Sequence, residues 1–329
     1  MPKLHSKIEK IWWSHDKPPL WLRLIEPVYS AISNRHLKQR SERPVAPPLP
    51  LISVGNITAG GSGKTPFVLW LAKGLQEKGF NPVILCRGDG GNNSIPRIIT
   101  NDMPASEVGD EARMLADLAN NPVIVGSDRI SASHLAKDLG DIIILDDGFQ
   151  YRHLSRVCDI VLVPAEGVGN GHRIPAGPLR EPVASLARAE LIVRTGSKEA
   201  LQQCKQMSQT KEWFWQTETG DLVDAMSTDT DLPDRIYAAT AIARPERFIS
   251  SLKDSGLSLS GKSIFPDHHQ FTSQDVDKLL AEEHVAVTEK DAVKLKPVWP
   301  ENKPLWLLKL KGSGETGLLE TIINNLSCA

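Results

Sequence analysis

The sequence predicts an α/β fold, a mostly parallel sheet flanked by helices, and three observations predict it. Short β-rich runs alternate with helical patterns over most of the chain, the order that βαβ units impose. Leu51–Gly55, Pro82–Cys86 and Ile142–Asp146 are apolar almost throughout, as strands covered on both faces are. A glycine-rich turn, Gly60-Gly61-Ser62-Gly63-Lys64-Thr65, joins the first of these runs directly to a helical segment. That arrangement makes the sheet P-loop NTPase-like, because backbone N–H groups at a helix N-terminus can wrap a phosphate.

Taken in order, the first 43 residues carry nine Lys/Arg against four Asp/Glu and hold Trp12, Trp13 and Trp21. Leu20 to Ile25 continues through Val28, Tyr29 and Ile32 at helical spacing. Such a basic, Trp-rich amphipathic segment suits an anionic membrane interface, and equally a helix docked on the protein's own core. Pro44–Pro50 is a stiff linker. Strand Leu51–Gly55 leads into helix Thr65–Gly79, and Pro82–Cys86, after a long loop, into helix Asp110–Asn120. Pro122–Val125 precedes helix Ile130–Leu139. Ile142–Asp146, Asp159–Val163 and Glu190–Arg194 are further buried strands. Glu212–Trp215 reads as an isolated strand. A second alternating block follows: Ile236–Ala241, helix Pro245–Ser255, Lys262–Phe265, helix Ser273–Glu282, Val285–Thr288, Leu305–Leu308 and a helix from Glu315. The expected division is an N-terminal amphipathic segment and linker (1–48), a P-loop domain (49–210) and a smaller α/β domain (211–329) across a cleft.

Composition narrows the function classes. Apolar residues make up 40% of the 329 and charged residues 24%, as in a globular protein with a core. A net charge of -2 argues against a generally basic nucleic-acid binder. Cys86, Cys158, Cys204 and Cys328 are scattered without a C-x-x-C, which reads as reduced thiols rather than a zinc site or disulfide framework. The start shows no signal-peptide core, and no run of about 18 apolar residues offers a membrane span.

The chemistry-bearing residues cluster at strand ends, where ligands bind on such sheets. In the glycine loop, Lys64 would reach the β/γ-phosphates and Thr65 the Mg²⁺. Thr58 stands where the strict pattern has glycine. The strand Ile142–Leu145 ends in Asp146-Asp147, adjacent carboxylates for which a nearby cation is the simplest explanation, the alternative being a helix cap or an Asp-Gly turn. Asp110-Glu111 opens a helix, as a cap or as a base and metal contact. Gly169–Pro182 is dense in Gly and Pro, with Arg173 and Arg180 suited to bidentate phosphate contacts or to solvent. Asp267-His268-His269 suits proton handling better than metal, with ordinary loop histidines as the alternative. Thr288–Lys294 either faces the same cleft or is a charged helix start.

Together these residues resemble one family, the tetraacyldisaccharide 4'-kinases of lipid A biosynthesis. The motifs run in that family's order: T-x-G-G-S-G-K-T-P (Thr58–Pro66), R-G-x-G-G (Arg87–Gly91), V-G-D-E (Val108–Glu111), D-D-G-F-Q (Asp146–Gln150), G-N-G…P-A-G-P-L-R-E-P (Gly169–Pro182), R-P-E-R-F (Arg244–Phe248), F-P-D-H-H (Phe265–His269) and T-E-K-D-A-V-K (Thr288–Lys294). Thr58 is also what that family's loop carries. The resemblance implies ATP- and Mg²⁺-dependent phosphorylation of the 4'-hydroxyl of a tetraacyl glucosamine disaccharide 1-phosphate. It implies a peripheral enzyme on the cytoplasmic face of the bacterial inner membrane, with no nucleic acid and no obligate protein partner. It implies a nucleotide loop of Thr58, Gly60, Gly61, Ser62, Gly63, Lys64 and Thr65, and Asp110 as base, partnered by His268. It implies Thr65, Asp146, Asp147 and Glu111 around the metal, and Arg129, Asn170, Arg173 and Arg180 toward substrate. Cys86, Asp89, His172 and Ala243-Arg244 depart from the family's usual residues. The competing reading is a P-loop ATPase switch or assembly factor that hydrolyses ATP without an acceptor. A soluble small-molecule kinase is a third, which the basic, Trp-rich start disfavours.

Overall fold

The computed structural model describes residues 8, 10–14, 16–41, 43–60, 62–228, 231–267 and 269–327. Its strands are β1 (Leu51–Asn56), β2 (Pro82–Cys86), β3 (Arg97–Ile98), β4 (Val123–Val125), β5 (Ile142–Asp146), β6 (Cys158–Pro164), β7 (Leu191–Gly196), β8 (Glu212–Asp224), β9 (Arg235–Thr240), β10 (Ser258–Ile264), β11 (Val285–Thr288) and β12 (Leu305–Gly314). They form a single sheet in the order β10-β9-β11-β12-β8-β7-β6-β1-β5-β2-β4-β3. Pairing is parallel except at β8/β12 and β3/β4, so the mostly parallel α/β class expected from the sequence is the one the chain adopts.

The central strands are buried at every position because both faces are covered. On one face, Phe67, Val68, Leu71 and Leu75 of the helix Lys64–Glu77 pack into Ile52, Val54, Ile84 and Ile144. The other face gathers Leu51, Val83, Leu85, Ile143 and Leu145 over the helix Arg129–Leu135. Each such side chain contributes ~1.5–3 kcal/mol on leaving water. The second block has its own core, centred on Val285, Val287, Leu295, Trp299 and Leu305.

Glu212–Trp215 is not isolated. It begins β8, which runs to Asp224, pairs in parallel with β7 and then lies antiparallel to β12 from Trp215↔Gly314 to Asp224↔Trp306. The expected boundary near residue 210 thus falls between two hydrogen-bonded strands. The helix Glu289–Leu295 also packs on the helix Asp110–Leu118, bringing the second block against the first at the site.

The helix Leu20–Ser41 turns its apolar residues outward. Leu22 is buried, whereas Leu20, Trp21, Leu24, Ile25, Val28 and Ile32 are 46–68% exposed. Among the described residues, no helix is long and apolar enough to cross a membrane.

Candidate active site

The site is built at the carboxyl ends of β1 and β5, whose register sets Val54 beside Asp146. Gly63 caps the helix Lys64–Glu77 with φ 76°, the left-handed region that glycine enters without strain. No side chain caps that helix and its first turn carries no acid, so its N-terminal N–H groups suit a phosphate. The loop is anchored from beneath: Asn56 Nδ2 donates to Ser62 Oγ at 2.8 Å, and Thr195 Oγ1 donates to the Ser62 carbonyl at 2.9 Å. Its first half pairs with the proline-rich loop, through Ala59 N to Pro178 O and Arg180 N to Ile57 O, both 2.7 Å. Thr58 is buried in that pairing, opposite Leu179. Thr65 lies in the first helical turn. Gly61 lies outside the described residues.

That pairing carries Arg180 to the acidic strand end. Asp147 lies 3.3 Å from Lys64 Nζ and accepts from Arg180 Nη1 at 3.0 Å. Its φ of 50° is a left-handed conformation that only a surrounding structure sustains in a non-glycine residue. Burial alone would raise the Asp147 carboxyl, but Lys64 and then Arg180 outweigh it and hold it well below the usual carboxylate range. Asp146 goes the other way. Burial pushes it up to about 7 against the pull of Lys64, with Glu111 and Asp147 adding negative charge. Two adjacent carboxyls are thereby driven apart in proton affinity, a pattern that marks working sites. Arg129 is buried behind them, its guanidinium 4.8 Å from the centre of the Tyr151 ring.

On a helix that packs against Lys64–Glu77, Asp110 follows Gly109, whose φ of 96° and close approach to the Asp89 carbonyl admit no side chain. Asp110 Oδ2 lies 2.7 Å from Lys294 Nζ, which also donates to the His269 carbonyl at 3.1 Å. Lys290 reaches Asp267 at 3.2 Å and Glu111 at 3.9 Å. Both lysines come from the helix Glu289–Leu295, which Thr288 caps, so that segment is at once a charged helix start and a wall of the site. His268 lies outside the described residues. Its neighbour Asp267 stands beside Lys290, on the Asp110–Glu111 side.

The structure therefore gathers Lys64, Asp146, Asp147, Arg129 and Arg180 in one group, with Asp110 and Glu111 facing lysines from the second block. Asn170 and Arg173 sit elsewhere. Asn170 donates to the Ala176 and Ile11 carbonyls, and Arg173 donates to Asn34 and to the Arg180 carbonyl. Sequence reasoning singled out neither Asn56 nor Thr195. The signal for each was a polar residue ending an apolar strand. Lys290 and Lys294 were quoted in the Thr288–Lys294 motif but given no role of their own.

A divalent cation fits the acidic pair. Asp146 Oδ1 is buried and has no hydrogen-bond partner, so the oxygen lacks a donor that a metal would replace. Among the described residues, no three acids, histidines or cysteines form a preformed cage. Mg²⁺ does not need one, because it is usually held by one or two carboxylates together with substrate phosphates.

The sequence profile of the tetraacyldisaccharide-1-P 4'-kinases, the LpxK family, matches residues 19–327. The chain belongs to this 4'-kinase family. A tetraacyldisaccharide 4'-kinase from Dechloromonas aromatica is 34% identical over 97% of each chain. One from Halorhodospira halophila is 35% identical over 91% of this chain and 90% of its own. The crystal structure of LpxK from Aquifex aeolicus in complex with ATP superimposes with a TM-score of 0.75 at 26% identity, covering 92% of this chain and 97% of that one.

Proposed function

We propose that this 4'-kinase transfers the γ-phosphate of ATP to the 4'-hydroxyl of a tetraacyl glucosamine disaccharide 1-phosphate, the lipid A precursor, giving lipid IVA. The observation that carries the reading is the proximity of two groups. Lys64, the helix start without a side-chain cap and the Asp146–Asp147 pair suit a triphosphate, and Glu111, next to Asp110, lies near enough to raise the proton affinity of Asp146. Gly60, Gly61, Ser62 and Gly63 would offer backbone N–H groups to the phosphates, and Thr58 seats the loop on the Pro178–Arg180 segment.

In the transfer, the 4'-oxygen attacks the γ-phosphorus, the bond from that phosphorus to the β,γ-bridging oxygen breaks, and ADP leaves. Asp110 takes the hydroxyl proton, with His268 as its partner and Lys294 orienting it. Lys64, Arg180 and Arg129 balance charge on the transferred group. Phosphoryl transfer asks mainly for this positioning and neutralisation. Mg²⁺ would be held by Asp146, Asp147 and Thr65, with Glu111 nearby, and would neutralise phosphate charge. Arg173 and Asn170 act toward substrate through the loop that carries Arg180. The 49–210 and 211–329 segments act as two units, joined through β7 and β8 and meeting again where the lysines face Asp110.

The outward apolar residues of Leu20–Ser41, on a basic N-terminal segment, support seating on an anionic membrane surface, the cytoplasmic face of the inner membrane. The test is label transfer from γ-labelled ATP to the disaccharide 1-phosphate in anionic vesicles. The expected result is acceptor-dependent transfer that Asp110→Asn abolishes. Hydrolysis of ATP at the same rate with and without acceptor would instead support the ATPase switch.

A further inference from the structure

The helix Leu20–Ser41 buries Leu22 but turns most of its apolar residues away from the protein, and polar contacts also tie it to the body. Glu26 sits on its inner face, between the exposed Ile25 and Val28. One carboxylate oxygen accepts from the Arg173 backbone N–H at 2.8 Å and the other lies 2.9 Å from His172 Nδ1. Two helical turns further, Asn34 Oδ1 accepts from Arg173 Nη1 at 3.1 Å, and the Arg173 guanidinium lies 5.7 Å from the centre of the Tyr29 ring. The other terminal nitrogen of Arg173 donates to the Arg180 carbonyl at 3.2 Å. Arg180 holds Asp147, and Asp147 holds Lys64. Arg173 itself is buried.

We propose that Glu26 is a positioning residue, which couples seating of the helix Leu20–Ser41 on a lipid surface to the placement of Arg180 and the glycine loop. This rests on the membrane reading above. A helix that only had to stick to the protein would turn most of its apolar residues inward, not bury Leu22 while six others stay exposed. This one holds the proline-rich loop through a carboxylate whose two oxygens engage consecutive residues. Displacement of the helix moves His172 and Arg173 together, and with them the Arg180 carbonyl. An unseated helix leaves Arg180 free to swing away from Asp147, and a seated one holds it there.

Glu26→Ala removes the contact while leaving the outward face intact, and Glu26→Gln keeps an oxygen for the Arg173 N–H. Binding to vesicles of phosphatidylethanolamine and phosphatidylglycerol is measured by sedimentation. Backbone hydrogen exchange in 169–182 and 57–66 is measured with and without those vesicles. We expect Glu26→Ala to bind vesicles within twofold of the parent. Vesicles should slow exchange in both loop segments in the parent and in Glu26→Gln, but only in the helix in Glu26→Ala. With acceptor in the vesicles, kcat of Glu26→Ala should fall about tenfold while the KM for ATP stays within twofold, and Glu26→Gln should recover most of that loss. Loss of vesicle binding by Glu26→Ala, or vesicle-induced protection of the loops without Glu26, overturns the coupling. The exchange readout involves no phosphoryl transfer, so failure of the coupling is distinguishable from failure of the kinase reading. A parent protein that does not bind vesicles overturns the membrane reading first, and the coupling with it.

Discussion

Glu289 heads the helix that brings Lys290 and Lys294 to the site, and its ionisation should weaken the fold. Burial pushes its carboxyl from an ordinary 4.5 up to about 7, and Lys309 offsets only part of that. Below pH 4.5 the group is protonated in both folded and unfolded chains and makes no difference. Between 4.5 and about 7 the unfolded chain releases a proton that the folded chain keeps, so stability falls as pH rises. Above that range the loss is complete. At ~1.4 kcal/mol per tenfold change in proton affinity, the full effect is roughly 3 kcal/mol, of which about 2.5 kcal/mol develops between pH 5 and 8. Glu289→Gln removes the titration and keeps the shape. Urea unfolding of parent and variant at pH 5 and pH 8 isolates this group, because every other titration is common to both. The stability gap in favour of the variant should widen by about 2.5 kcal/mol, close to 1 M in urea midpoint for a slope near 3 kcal/mol/M. A gap that stays constant within ~0.5 kcal/mol across that range would refute the reasoning.

Gly109→Ala should place a Cβ 2.6 Å from the Asp89 carbonyl at a φ of 96° and shift the start of the Asp110 helix. A displacement near 1 Å costs on the order of 10²-fold in kcat, measured by label transfer, while nucleotide affinity at Lys64 should hold. Arg194 and Glu212 form a buried pair at 3.0 Å that joins β7 to β8. Arg194→Met leaves the carboxylate without that partner and should cost ~3–5 kcal/mol in urea unfolding, whereas Arg194→Met with Glu212→Leu should recover most of it. Thr272 caps the helix Ser273–Leu280 in a reciprocal box with Asp275. Thr272→Ala should cost ~1 kcal/mol at neutral pH. The Thr272 hydroxyl first, and then His269, hold Asp275 down to about 2. That part of the stability is fully present above the ordinary value near 4 and is lost as pH falls toward 2, so the variant's deficit should shrink in acid.

The central strands were legible because each is buried on both faces and its apolar run cannot be mistaken for a surface pattern. Pro82–Cys86, Ile142–Asp146 and Val285–Thr288 match their expected bounds residue for residue. The β8–β12 ribbon was legible only at its buried ends. Beyond Trp215 and Leu308 its residues are polar, glycine or half-exposed, and what holds them extended is the partner strand about ninety residues away. The short strand Arg97–Ile98 and the helices Ala105–Val108 and Lys198–Gln203 were not expected at all, being too short to show a period. At the site, the glycine loop and the paired aspartates declared themselves because their chemistry is local. Asn56 and Thr195 did not, because anchoring Ser62 is a tertiary task that leaves no spacing behind.

Three of the positions expected to depart from the family pattern differ in what they touch. Asp89 turns its side chain outward to Arg87 at 3.1 Å and lends only its carbonyl to the close approach at Gly109, so a change of side chain there spares the Asp110 helix. Cys86 is buried at the end of β2, its thiol pushed up beyond the neutral range by burial and then by Asp146, and it packs as a small apolar residue. His172 is different. It does not displace Arg173 from a substrate contact so much as give the helix carboxylate a second partner, since Glu26 engages both residues. Read as a line, His172-Arg173 looks like a one-residue slip in an arginine's register. In space the two residues are a pair, one meeting Glu26 through its ring and the other through its backbone, and the arginine side chain is left to span from Asn34 to the Arg180 carbonyl.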